Sequence, residues 1–235
     1  MQLRAYLGLI RSLAIYYNPL RRRQLRAFYG GLLQPGDLAF DIGAQVGSRA
    51  RAMRAAGARV VACEPQEPFA GFLRRSLPRD IVLVQQAIGP TETVARMAVS
   101  SLHPTVSSLS TSFAAEAAAA PGFEHVRWDR SQEVRMTTMD ALIAAHGLPD
   151  FVKIDVEGFE LDVLSGLGQP LPMLSGEYLP AFRDRTLAVI DRLQDLGLYR
   201  FNPVTGEAGG FLWDDWRDAD AVRANLARQR LGEPH

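Results

Sequence analysis

Four charged side chains crowd the end of one apolar run: Lys153, Asp155, Glu157 and Glu160, in Phe151-Val152-Lys153-Ile154-Asp155-Val156-Glu157-Gly158-Phe159-Glu160. Lys153 is the only lysine among 235 residues. A short apolar run that ends in carboxylates and breaks at glycine reads as a buried parallel strand feeding a loop, and open α/β sheets bind ligands at that carboxyl edge. Period-two alternation puts Lys153 on the same side as Asp155. A buried lysine must be paired or neutral. An ion pair with Asp41, Glu157 or Glu177 is therefore expected, with contact to an acceptor as the alternative.

Two further motifs face the same edge. Asp41-Ile42-Gly43-Ala44-Gln45-Val46-Gly47 follows a strand and opens a helix. Its glycines are expected to let the backbone approach a ligand and aim free helical N–H groups at it. The glycines stand four apart, unlike the dinucleotide pattern, and Asp41 precedes them. A carboxylate there repels a pyrophosphate and attracts an ammonium group. Glu64-Pro65 ends the next strand, 23 positions after Asp41. An acid there commonly accepts hydrogen bonds from ribose hydroxyls. Together these motifs describe a nucleoside with an amino-acid tail, and S-adenosylmethionine fits that description.

The elements needed to hold these groups alternate along the chain. Strands read at Leu38 to Ile42, Arg59 to Cys63, Ile81 to Val84, Phe151 onward and Met173 to Tyr178. Helices read at Gly47 to Ala56, Phe69 to Leu77, Thr138 to Ala145, Glu160 to Leu167 and Arg185 to Leu196. Such alternation implies right-handed βαβ units and a parallel sheet covered on both faces. Residues from about 90 to 135 break the rhythm, with a possible strand at Thr93 to Val99 and a small-residue helix at Ala114 to Ala120, closed by Pro121-Gly122. Leu198 to Pro203 and Gly210 to Trp213 flank a Thr205-Gly206 turn and read as a terminal hairpin.

Composition bounds the rest. Hydrophobic residues make up 47% and the formal net charge is zero, so a packed α/β domain is expected and a nucleic-acid partner is not. A single cysteine, Cys63, excludes an internal disulfide and fits a reducing cytoplasm. The first 36 residues carry Arg4, Arg11, Arg21, Arg22, Arg23 and Arg26 and no acid. Leu3, Leu7, Ile10 and Ala14 share one helical face. That helix is expected to pack on the domain or cap its site; the alternative is a basic helix resting on a membrane or a lipid-linked substrate.

The spacing Asp41-x-Gly43-x-x-x-Gly47, Glu64-Pro65, Ala87-Ile88-Gly89 and Lys153-Ile154-Asp155-Val156-Glu157-Gly158-x-Glu160 resembles the FkbM family of class I methyltransferases, over roughly residues 35 to 205. The resemblance implies a Rossmann-like α/β fold: a seven-stranded, mostly parallel sheet with a reversed terminal strand and helices on both faces. A helical appendage at 1–34 precedes a methyltransferase domain at 35–235. It also implies S-adenosylmethionine-dependent O-methylation of a small molecule, sugar, glycan or polyketide-type acceptor. By that resemblance Asp41, Gly43, Ala44, Gln45 and Gly47 hold the methionine end, Glu64 and Pro65 the ribose, and Gln86 and Ala87 the adenine. Asp155 lies under the sulfonium. Gln45 stands where the family usually carries Asn.

An alcohol acceptor needs a general base. Asp155, Glu157, His103 and Glu177 are candidates. Lys153 is an ion-pair partner or an acceptor contact, and Glu160 supports the following helix. Asp155, Glu157 and Glu160 offer oxygens for a divalent metal, but no required metal is expected. The Arg21-Arg22-Arg23 run reads as a solvated face, with recognition of an acceptor phosphate as the alternative. Other functional readings are an NAD-type oxidoreductase, a non-catalytic nucleoside binder, or an N-methyltransferase.

Overall fold

A computed structural model describes residues 2–120, 123–178, 180–206 and 209–228. Pro121 and Gly122, expected to close a helix, lie outside them. The central sheet has five strands: β1 (Leu38–Ile42), β2 (Arg59–Cys63), β3 (Ile81–Val84), β7 (Phe151–Ile154) and β8 (Leu174–Gly176). Their order is β3-β2-β1-β7-β8 and every pairing is parallel. A second sheet joins β4 (Ala87–Ile88), β6 (Arg130–Thr137) and β5 (Thr93–Val99), with β6 parallel to β4 and antiparallel to β5.

Helices cover both faces of the central sheet. On one side α2 (Pro19–Leu32), α3 (Ser48–Ala55) and α4 (Phe69–Ser76) pack on Ala39, Val60, Ala62 and Phe151. On the other side α6 (Met139–His146), α7 (Glu160–Ser165) and α8 (Arg183–Leu196) pack on Phe40, Ile42, Val61, Val152 and Ile154. Alternation along each strand sorts the two sets. The same alternation puts Asp41 with Ala39, and Lys153 with Phe151, on the α2/α3 side.

The chain runs outward through β1, β2 and β3, then returns to place β7 against the free side of β1. That reversal makes a crevice at the carboxyl ends of β1 and β7. Asp41 and Lys153 are register partners there.

The expected seven-stranded sheet with a reversed last strand differs from the five parallel strands described. Among the described residues, antiparallel pairing near the C-terminus is limited to single bridges, Phe201 with Arg217 and Val204 with Phe211. Between them the Asn202 side chain takes both the amide and the carbonyl of Trp213, at 3.1 and 2.8 Å, in place of ladder bonds. Pro203 adds no donor. A last helix, α9 (Ala219–Arg228), packs on α8 through Val222 and Leu226.

Within 90–135, β5 pairs with β6 along its whole length, Thr93 opposite Met136 through Val99 opposite Arg130. A 3₁₀ turn (Pro104–Val106) and α5 (Thr111–Ala119) lie between them. At the N-terminus α1 (Gln2–Tyr16) packs through Ala5, Leu9 and Ser12, which are buried, whereas Leu7 and Ile10 are exposed. The helix docks, but by the face opposite to the one its sequence pattern suggests; the Leu3 side chain is not among those described. No helix among the described residues is long and apolar enough to cross a membrane.

Candidate functional site

A cavity of about 1120 Å³ opens over the carboxyl ends of β1, β2 and β7. Single small-molecule pockets run to about 300–1,000 Å³, so this one has room for two reactants. Asp41, Gly43, Ala44, Gln45, Glu64, Pro65, Gln86, Ala87, Lys153, Asp155, Glu157 and Glu177 all line it. Residues far apart in sequence thus meet at one wall. Gly47 and His103 are not in that lining.

The floor is an ion-pair array. Lys153 Nζ lies 3.4 Å from Asp41 Oδ1 and 3.3 Å from Asp155 Oδ2. It also donates to the carbonyls of Ile42, at 3.3 Å, and Gly43, at 2.8 Å. Asp41 is wholly buried, and its other oxygen accepts from the Ala50 N–H in the first turn of α3, at 3.0 Å. Of the three partners expected for Lys153, Asp41 lies within ion-pair distance; Asp155, which is not one of the three, is a further partner. Arg49 adds a contact to Asp155 at 3.7 Å. Burial disfavours the Asp155 carboxylate, but Lys153 and Arg49 outweigh it and hold its pKa below the ordinary value. Burial also works against charge on Arg49, and the facing Asp155, Tyr29 and Asp41 more than offset it.

Glu64 braces the glycine loop. Its Oε2 accepts from the Gln45 N–H at 2.7 Å and its Oε1 from the Gln66 N–H at 2.8 Å. Burial nevertheless raises its pKa to about 7, the two N–H bonds opposing the rise. The loop glycines serve packing more directly than ligand approach. Gly43 has φ of +79°, and a Cβ there would collide with the Asp155 carbonyl oxygen. Gly47, at φ +75°, would press a Cβ on Leu73 and Leu77 of the α4 region. The free backbone N–H groups read from sequence at the loop are thus partly claimed, one of them by Glu64.

The acid loop after β7 is held from several directions. Glu157 sits at φ +54°, an unusual conformation for a side chain of its size. Ser108 Oγ donates to the Glu157 carbonyl at 2.6 Å, and Arg185 donates to the Gly158 carbonyl at 3.1 Å. Glu160 Oε1 accepts from the N–H groups of Val156 and Gly158. Glu160 therefore caps its own loop.

Glu177 follows β8 and lies beside Glu157 in the cavity lining. Ligand atoms of Asp155, Glu157 and Glu177 lie within 4.8 Å of one another. Of the acids read from sequence as a possible cation set, Glu160 is replaced by Glu177. Glu177 is exposed on its outer side; the protein packed around its carboxyl first, then the Asp155 and Glu160 charges, raise its pKa to about 8. Burial and the Glu177 charge push Glu157 well above its ordinary value. The wall thus pairs a carboxylate held ionised, Asp155, with two whose pKa is raised, Glu177 to about 8 and Glu157 well above its ordinary value. That separation is the pattern of acid/base division of labour.

His103 sits elsewhere, with its ring edge-on to His125 at 4.7 Å between centroids. Burial, Arg11 and His125 lower its pKa. Sequence reasoning missed Arg49, Tyr16 and Tyr29, which also line the cavity. Arg49 stands two positions after Gly47, at the helix start, where a cation carries no periodicity signal.

Among solved structures, the chain is similar to a precorrin-6y C5,15-methyltransferase from Geobacter metallireducens GS-15. Identity is 17%, covering 79% of this chain and 80% of that one, with a TM-score of 0.39. Among curated proteins, no match is found. The family described as Methyltransferase FkbM domain matches residues 41–232, from the first acid of the glycine loop to beyond α9. With so much of its length matched, the chain belongs to the FkbM-domain family of methyltransferases.

Proposed function

We propose that the chain is an S-adenosylmethionine-dependent methyltransferase that acts on a hydroxyl of a small-molecule, sugar, glycan or polyketide-type acceptor. The supporting observation is that Asp41, Glu64 and Asp155 stand at the carboxyl ends of three adjacent strands and line one cavity. Asp41 Oδ1 accepts no hydrogen bond, although the Lys153 ammonium lies 3.4 Å away, so it keeps accepting capacity for a ligand's ammonium group. Each Glu64 oxygen is used by one N–H and keeps accepting capacity for a ribose hydroxyl. The residues therefore fit a nucleoside with an amino-acid tail.

When bound, S-adenosylmethionine supplies an electrophilic methyl on a sulfonium. Asp155, kept ionised by Lys153 and Arg49, presents a carboxylate at the end of the cavity where a sulfonium would lie. Lys153 positions the two aspartates and the glycine loop; at 4% exposure it is a positioning residue. Glu177 is the base. Its carboxylate accepts the acceptor's hydroxyl proton as the oxygen attacks. A raised pKa near the working pH makes it a better proton acceptor than Asp155. His103 is outside the cavity lining, although Pro104 and Thr105 beside it belong to that lining, and Glu177 is preferred to it as base. Transfer of labelled methyl from S-adenosylmethionine to a panel of sugars, glycolipids and polyketide alcohols tests the reading. Transfer to amines alone, or to nothing across the panel, would count against a hydroxyl acceptor.

A further inference from the structure

Helix α1 is apolar on both of its long faces. Its inner face, Ala5, Gly8, Leu9 and Ser12, is buried against the domain, with Gly8 fitted closely to the Ser101 carbonyl and Pro104. Its outer face carries Tyr6, Leu7 and Ile10, exposed by 55%, 50% and 60%. With Ala14, these side chains span about 100° of helical arc. A surface helix ordinarily turns charged residues outward. Here Arg11 alone flanks the exposed stripe among the described side chains of α1. The chain then turns into α2 through Leu20, exposed by 72%, followed by exposed Arg22, Arg23 and Arg26.

Charge selects the occupant. The first 36 residues hold six arginines and no acid, in a chain of zero net charge. An apolar stripe flanked by Arg11 and followed in the chain by exposed Arg22, Arg23 and Arg26 matches an interface with acyl chains beneath anionic headgroups. A second copy of this chain fits poorly, because a twofold contact would bring the same arginines together.

We propose that this face docks on an anionic lipid bilayer, with α1 lying in the interface plane. Tyr6, Leu7 and Ile10 enter the acyl boundary while Arg11, Arg22, Arg23 and Arg26 meet headgroup phosphates. Tyr16, at the end of α1, lines the cavity, so the docked surface adjoins the site. The inference does not depend on the methyl-transfer reading.

Flotation of the full chain with vesicles tests it. Binding is expected to mixed phosphatidylcholine/phosphatidylglycerol vesicles, weakening as salt is raised, with little binding to phosphatidylcholine alone. Leu7→Glu/Ile10→Glu should abolish flotation at an unchanged melting temperature, since both side chains are exposed. Arg22→Gln/Arg23→Gln should weaken binding by about fivefold for each arginine. Failure of the parent chain to float with anionic vesicles would overturn the proposal. So would undiminished flotation of Leu7→Glu/Ile10→Glu. Light scattering that finds a dimer which Leu7→Glu/Ile10→Glu dissociates, without vesicle binding, would assign the stripe to a second copy instead.

Discussion

Lys153 and Asp41 are register partners on adjacent parallel strands, with Nζ 3.4 Å from Oδ1 and both side chains almost wholly buried. The pair joins the sheet to the site above it. Lys153 reaches on to Asp155 and to two loop carbonyls, while Asp41 reaches the first turn of α3. Burying charge is expensive, and such a network persists when its members satisfy one another.

Lys153→Met should therefore destabilise the fold by about 3–5 kcal/mol, because it leaves Asp41 buried without its counter-charge. Adding Asp41→Asn should recover part of that loss. Urea unfolding of the two single variants and the double variant measures the coupling. Equal and additive losses would mean that the pair is not coupled.

Gly43→Ala should cost roughly 1–3 kcal/mol, since φ is +79° and the new Cβ meets the Asp155 carbonyl oxygen. Gly30→Ala, where a Cβ meets nothing within 4 Å, is the control and should be neutral or slightly stabilising. Thermal melts compare the two. A harmless Gly43→Ala would show that the loop and β7 are not packed as described.

Glu177 gives methyl transfer a pH signature. Its carboxyl must be ionised to take a proton, so the rate should rise with pH through about 8. Glu177→Gln should lose on the order of 10²–10⁴-fold in kcat and lose that rise. A pH profile unchanged by Glu177→Gln would place the base elsewhere or favour an amine acceptor.

The same group bears on stability. A carboxyl whose folded pKa is raised contributes stability that is present below its unfolded pKa and lost as pH rises through the folded value. For Glu177 the window runs from the ordinary 4.5 to about 8. Glu177→Gln stays neutral throughout, so its melting temperature relative to the parent should climb as pH is raised across that window. A pH-independent difference would mean that the carboxyl of this exposed residue stays hydrated and is not burdened by its acidic neighbours.

Much of this arrangement is legible in the residues. The apolar runs Leu38–Ile42, Arg59–Cys63 and Ile81–Val84 are strands at the bounds their patterns suggest, because buried parallel strands are bounded by turn residues. Asp41, Glu64, Asp155 and Glu177 meet at one cavity because each ends or nearly ends a strand of the same sheet. Other features carry no such signal. β6, Arg-Ser-Gln-Glu-Val-Arg-Met-Thr, is mostly polar, with Val134 and Met136 its two apolar residues, and gains its strand character from pairing with β5. In α2 the arginine run obscures the buried pair Leu25 and Tyr29. The outer and inner faces of α1 are both apolar, so hydrophobic periodicity alone picks the wrong one. Arg49 reaches Asp155 only after β1, α3 and β7 have assembled.

Calorimetric titration of the purified chain with S-adenosylhomocysteine and, separately, with NAD bears most directly on the proposed chemistry. One S-adenosylhomocysteine should bind per chain, NAD should give no heat, and Glu64→Ala should weaken the former at least about tenfold through loss of charged hydrogen bonds. Saturable NAD binding with none for S-adenosylhomocysteine would overturn the proposed cofactor and, with it, methyl transfer at this cavity.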